Sequence, residues 1–126
     1  MVENKLDLIF KAYDVRGIYG QTLTNDIAYN IGTAFSQFVE GETIIVGHDG
    51  RNSNEEIFRS VAAGILSNNK EVFYIGTVPT DVVYSLSGLM DLPGMIITAS
   101  HNPKEWNGFK FCNSGASPIG LSLIHI

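Results

Sequence analysis

The sequence predicts an α/β fold: a mixed, largely parallel sheet flanked by helices. Short apolar, β-branched runs alternate with segments whose apolar residues recur at helical spacing. Hydrophobic residues make up 44% and charged residues 17% of the 126-residue chain, enough for one core and too apolar for a disordered tail. Polar loops follow two of the apolar runs, at the strand ends where ligands collect in such sheets.

The elements follow in order. Ile27, Ala28, Ile31, Phe35, Phe38 and Val39 share helical spacing, Thr24 stands at the N-cap, Asp26 in the first turn and Gly41 past the end. Residues 43–46 are β-branched and apolar and predict a short buried strand. Ser53 and Glu56 have capping-box spacing ahead of a helix carrying Ile57, Val61 and Ile65 on one face. A strand is expected over 70–75, a short helix opened by Pro79 and running through Tyr84 and Leu86, and strands over 94–98 and 108–112. The final six residues follow a Gly/Ser/Pro loop without a terminator. They are read as a truncation or a non-native tail, with an ordinary terminal strand as the alternative, so the domain is expected over residues 1–120.

Composition excludes several classes. Thirteen acidic against eight basic residues leave a net charge of −5 with no basic cluster, which argues against nucleic acid as a partner. No apolar run approaches the roughly 18 residues that span a bilayer, and the first residues are acidic where a signal peptide is basic, so no membrane partner is expected. The single Cys112 forms neither an internal disulfide nor a thiolate metal site, and is read as a small buried thiol. These features predict a cytoplasmic protein.

Two loops sit at expected strand ends: Gly47-His48-Asp49-Gly50-Arg51, and Ala99-Ser100-His101-Asn102-Pro103. The second begins with Thr98 and is followed by Lys104-Glu105-Trp106 and then Asn107-Gly108-Phe109-Lys110. This run resembles the T-A-S-H-N-P…N-G-x-K signature of the α-D-phosphohexomutases. Phe10-Lys11-Ala12-Tyr13-Asp14-Val15-Arg16-Gly17 resembles the F-x-A-Y-D-[IV]-R-G segment of their phosphomannomutase/phosphoglucomutase branch, and residues 46–51 its V-G-x-D-x-R loop.

The resemblance implies the phosphoserine-bearing first domain of an enzyme that interconverts hexose 1-phosphates and 6-phosphates through a bound hexose bisphosphate. It implies Ser100 as phosphoryl carrier, Lys110 near the transferred proton, and His101 and Arg16 at the phosphate. Asn102, and Tyr13 where it does not simply pack, are the candidate substrate contacts. On the expected last strand Phe109 and Phe111 share one face, so burying them would aim Lys110 toward the serine loop, as general base or electrostatic clamp. The family holds Mg2+ with a phosphoserine oxygen and the aspartates of a D-G-D-x-D-R loop in a second domain. No D-x-D-x-D stretch occurs here, so Ser100 is the one expected metal ligand and the fragment alone is expected to be inactive.

Asp49 and Arg51 divide evenly between a ligand role and a turn stabilised by their own charges. His48 is expected to have no chemical role, and Trp106 to cover the loop or meet a second domain. Serine hydrolysis would want a Gly-x-Ser-x-Gly elbow, which is absent. A non-catalytic phosphosugar-binding domain is the alternative, disfavoured because binding alone needs no transferable hydroxyl.

Overall fold

The computed structural model describes Ile9 and residues 14–120. The expectations for Phe10 to Tyr13 and for the last six residues therefore concern positions outside the described residues. Six strands and three α-helices are described: β1 Asp14–Ile18, α1 Asn25–Phe38, β2 Thr43–His48, α2 Asn54–Leu66, β3 Glu71–Thr77, α3 Thr80–Met90, β4 Gly94–Ile97, β5 Trp106–Asn113 and β6 Ser117–Pro118. The sheet order is β1-β5-β4-β2-β3, with β6 also on β5. β2 pairs parallel with β3 and β4, whereas β5 runs antiparallel to β1, β4 and β6. The sheet is mixed, and its parallel part is the βαβ portion that brings two strand ends together.

β2 shows why its sequence is continuously apolar. Ile44 and Val46 enter a large core with α1 and α2, while Ile45 enters a smaller one with Val83 of α3 and Ile96 of β4. Both faces of the strand are covered, so alternation is lost. Each fully buried side chain of this kind contributes roughly 1.5–3 kcal/mol. Phe35 of α1 meets Phe111 of β5 with ring centroids 5.0 Å apart, locking the far strand to the helical layer.

Helix α1 forms as its pattern predicts: Thr24 accepts a hydrogen bond from the Ile27 N–H, and Ile31 and Phe35 are fully buried. Helix α2 departs from expectation at its start. Ser53 has αR geometry and makes no side-chain cap. Its Oγ instead accepts from the Asn107 amide, and Glu56 accepts from Tyr19 and Asn25, so the capping box does not form. Tertiary partners outcompete the local one. Helix α3 runs to Met90, beyond the short helix expected, and ends at Asp91 in the left-handed region. No helix among the described residues is long and apolar enough to cross a membrane.

α1 and α2 touch backbone to backbone. A Cβ on Gly32 would overlap the Val61 carbonyl oxygen, and one on Gly64 would overlap the Tyr29 carbonyl. Gly64→Ala is therefore expected to destabilise the chain by about 2 kcal/mol, as overpacking does. Gly88→Ala, on the open face of α3 with nothing within 4 Å of the new methyl, is expected to stabilise it by up to about 1 kcal/mol. Urea unfolding of the two variants checks both signs.

Candidate functional site

The site grows from the carboxyl ends of β2 and β4. His48 pairs with Ile97, and the Asp49 N–H donates to the Ile97 carbonyl at 3.1 Å, so the two loops leave the sheet side by side. Asp49 then organises its neighbourhood. Its carboxylate accepts from the Thr98 hydroxyl at 2.7 Å, from the Asn54 amide at 2.8 Å and from the Arg51 Nε at 3.1 Å. Asn54, buried, accepts in turn from Asn107, whose own Oδ1 accepts from the Gly108 N–H. Among the described residues, every buried side-chain polar atom has a partner.

Ser100 sits at the apex of the second loop with φ +55, a left-handed conformation that costs a residue with a Cβ about 1–2 kcal/mol. Its N–H donates to the Thr98 hydroxyl at 3.0 Å. The loop closes through the Asn102 N–H on the Ala99 carbonyl and the Trp106 N–H on the Pro103 carbonyl. It is also bound by Arg51, which donates to the carbonyls of Ser100, Asn102, Pro103 and Trp106.

β5 brings the remaining groups back beneath the loop. Phe109 and Phe111 are buried in the large core and Lys110 is half-buried. Gly108 lies opposite Arg16 of β1, where a Cβ would overlap the Val15 carbonyl, so only glycine allows this approach. Arg16 forms an ion pair with Asp14 at 2.8 Å and donates to the Asn102 Oδ1 at 3.2 Å. The pairing with Asp14 does not take Arg16 out of the site.

Arg16, Ser100, His101, Asn102, Pro103 and Lys110 line one open cleft of about 460 Å³. Five of the six candidate site residues therefore converge, His101 being exposed. The sixth, Tyr13, lies outside the described residues. A hydroxyl on a strained apex, two cations of different geometry and an imidazole suit an anionic ligand that gives or takes a phosphoryl group.

Sequence reading missed the reach of Asp49 and Arg51. The expectation divided them evenly between a ligand role and a turn held by their own charges; the mutual ion pair exists, and the structure adds their contacts to the serine loop. The one available signal was that both loops leave adjacent strand ends. A second hollow, beside His48, Phe58, Arg59 and Tyr74, holds none of the candidate residues. His48 there has Nδ1 2.8 Å from the Asp49 carbonyl and Nε2 2.6 Å from the Tyr74 hydroxyl. Cys112 is buried and free, and burial pushes its thiol pKa up.

The sequence profile described as phosphoglucomutase/phosphomannomutase, alpha/beta/alpha domain I, matches residues 7–124. A phosphomannomutase of Methanocaldococcus jannaschii is 42% identical over 113 residues, which is 89% of this chain and 25% of that protein. A phosphomannomutase of Escherichia coli K12 is 40% identical over 111 residues, covering 87% of this chain and 24% of its own length. One of Klebsiella pneumoniae, also 40% identical, is covered over 71% of its length. The crystal structure of a phosphoglucomutase/phosphomannomutase family protein from Burkholderia thailandensis superposes with a TM-score of 0.84 at 35% identity, over 98% of this chain and 29% of that one. The chain thus spans about a quarter of the length of the first of these relatives.

The Asp49 network carries a pH signature. Burial favours the neutral acid, but hydrogen bonds from Asn54, from Thr98 and from the Arg51 backbone and side chain outweigh it and hold the carboxyl below its ordinary value of 3.8. A depressed folded pKa means the stabilisation is complete above the unfolded value and is lost as pH falls through the folded one. Urea midpoints measured from pH 6 down to pH 2.5 are expected to fall more steeply in the parent chain than in Asp49→Asn, which lacks the ionisable group.

Proposed function

Because the chain belongs to the phosphoglucomutase/phosphomannomutase family, we propose that Ser100 carries the phosphoryl group in an exchange between the 1- and 6-positions of a hexose. The observation that supports this most is the shared cleft of Ser100, Arg16, Lys110 and His101. In the first transfer the free sugar hydroxyl oxygen bonds to phosphorus while the bond to Ser100 Oγ breaks. The hydroxyl proton passes to a base and a proton returns to the serine oxygen. The hexose bisphosphate so formed turns over, and the reverse transfer from its other end restores phosphoserine and releases the isomeric monophosphate.

Such transfers depend mainly on positioning and charge stabilisation. Lys110 and Arg16 supply local positive charge to a chain of net charge −5, and His101 and Asn102 offer hydrogen bonds at the rim. Lys110 serves as clamp and as proton carrier for the reacting hydroxyl. Mannose and glucose phosphates are the proposed substrates, in line with the names of the relatives. A cytoplasmic setting agrees with the single free cysteine, and residues 1–120 form the proposed domain.

The family's Mg2+ fits this domain only in part. Among the described residues no group of three or more His, Cys, Asp or Glu side chains is placed to hold a metal ion. The domain's own contribution would be a phosphoryl oxygen on Ser100, and bound metal would supply charge neutralisation during transfer.

Mass spectrometry of the chain is expected to find phosphate on Ser100, as purified or after incubation with a hexose 1,6-bisphosphate. A chimaera in which residues 1–120 replace the matching quarter of the Methanocaldococcus phosphomannomutase is expected to isomerise mannose 1-phosphate. Ser100→Ala should lower its kcat by at least about 10³-fold and Lys110→Ala by about 10²-fold. A Ser100→Ala chimaera with undiminished turnover would rule the reading out.

A further inference from the structure

We propose that Arg51 is a positioning residue for the phosphoryl carrier: with its N–H groups spent on the loop, it fixes the Ser100 backbone and turns the next peptide N–H toward the phosphoryl group. An arginine beside a phosphate cleft would ordinarily be read as a phosphate ligand. Its hydrogen bonds say otherwise. Nε donates to Asp49 Oδ2 at 3.1 Å, Nη1 to the carbonyls of Pro103 at 2.7 Å and Trp106 at 3.1 Å, and Nη2 to those of Ser100 at 2.8 Å and Asn102 at 3.0 Å. A guanidinium has five N–H donors, and these five bonds use them all. Its charge is offset by Asp49, its side chain is only 13% exposed, and it does not line the cleft.

The same ion pair holds Ser100 on both sides. The Ser100 carbonyl accepts from Arg51 directly, and the Ser100 N–H reaches Asp49 through the Thr98 hydroxyl. The left-handed φ of +55 is thereby imposed from both flanking peptides. In a trans peptide the N–H points opposite to the C=O, and no described peptide is cis. With the Ser100 carbonyl aimed at Arg51, the His101 N–H points away from the guanidinium, and Ser100 and His101 both line the cleft. No acceptor for that N–H is found among the described residues. It is a preorganised donor beside the serine oxygen, costing no reorganisation when charge arrives. Lysine cannot replace the fork, since three donors on one nitrogen do not reach four carbonyls and a carboxylate.

The inference rests on the phosphoryl-carrier reading of Ser100, and it is tested on this chain with phosphoserine encoded at position 100. Amide spectra of the phosphorylated and unphosphorylated chains are compared. The His101 amide proton is expected to move downfield on phosphorylation in the parent chain, and this shift is expected to vanish in Arg51→Lys. Guanidinium is expected to restore it in Arg51→Ala, and methylammonium is not. Strand resonances of β2 and β4 report that each variant is folded; should Arg51→Lys not fold, Asp49→Asn keeps the arginine and is expected to weaken the shift. Absence of the shift in the parent chain, or its persistence in the folded lysine variant, overturns the proposal. Either result beside an inactive Ser100→Ala chimaera sinks the arginine's role alone. The expected shifts beside an active Ser100→Ala chimaera sink the carrier reading alone.

Discussion

The parallel pairing of β2 with β4 is the constraint on which the site depends. It sets two loops down at neighbouring strand ends, and every polar contact between them follows. The pairing is secured from both faces, by Val46 and Ile97 in the larger core and by Ile45 and Ile96 in the smaller. Because Asp49 continues the ladder by donating to the Ile97 carbonyl, its carboxylate is delivered within reach of Thr98. Apolar burial thus fixes the register, and the register fixes which polar groups meet. The antiparallel β5 adds the cations' side of the cleft by returning to run beneath the loop.

Charge in this domain is handled locally. The chain is acidic overall, so no long-range field draws a phosphate in. Arg16 is partly neutralised by Asp14, and Arg51 by Asp49. Lys110 lines the cleft without an ion pair among the described residues. Under the proposed role, such an open and partly neutralised arrangement would hold a phosphoryl group without burying it irreversibly, which suits a carrier that must both take and give. The strained backbone at Ser100 belongs to the same logic: the energy that holds it comes from Arg51 and Thr98 behind the loop, leaving the hydroxyl side open.

Much of the fold was legible from local pattern. Helix α1 could be read because Thr24, Ile31 and Phe35 act within one element. β2 could be read because a strand covered on both faces is apolar throughout. The two loops could be placed because glycine and proline punctuate them. What stayed hidden was whatever one element does to another. Ser53 and Glu56 have perfect capping spacing, yet Asn107 and Tyr19 claim their side chains from far along the chain. Arg51 meets carbonyls 49 to 55 positions away, contacts for which spacing carries no signal. The glycine contact between α1 and α2 was equally invisible, since a helical glycine looks like a weak point until its neighbour is seen.

If the Ser100 oxygen carries the phosphoryl group during turnover, the phosphoserine must be kinetically competent. The chimaera is loaded with radiolabelled phosphate, mixed with unlabelled hexose monophosphate, quenched on the millisecond scale and digested. Label is expected to leave the peptide containing Ser100 and enter sugar bisphosphate at least as fast as the enzyme turns over. Label that leaves more slowly than turnover, or that resides on another residue, would contradict the carrier role of Ser100.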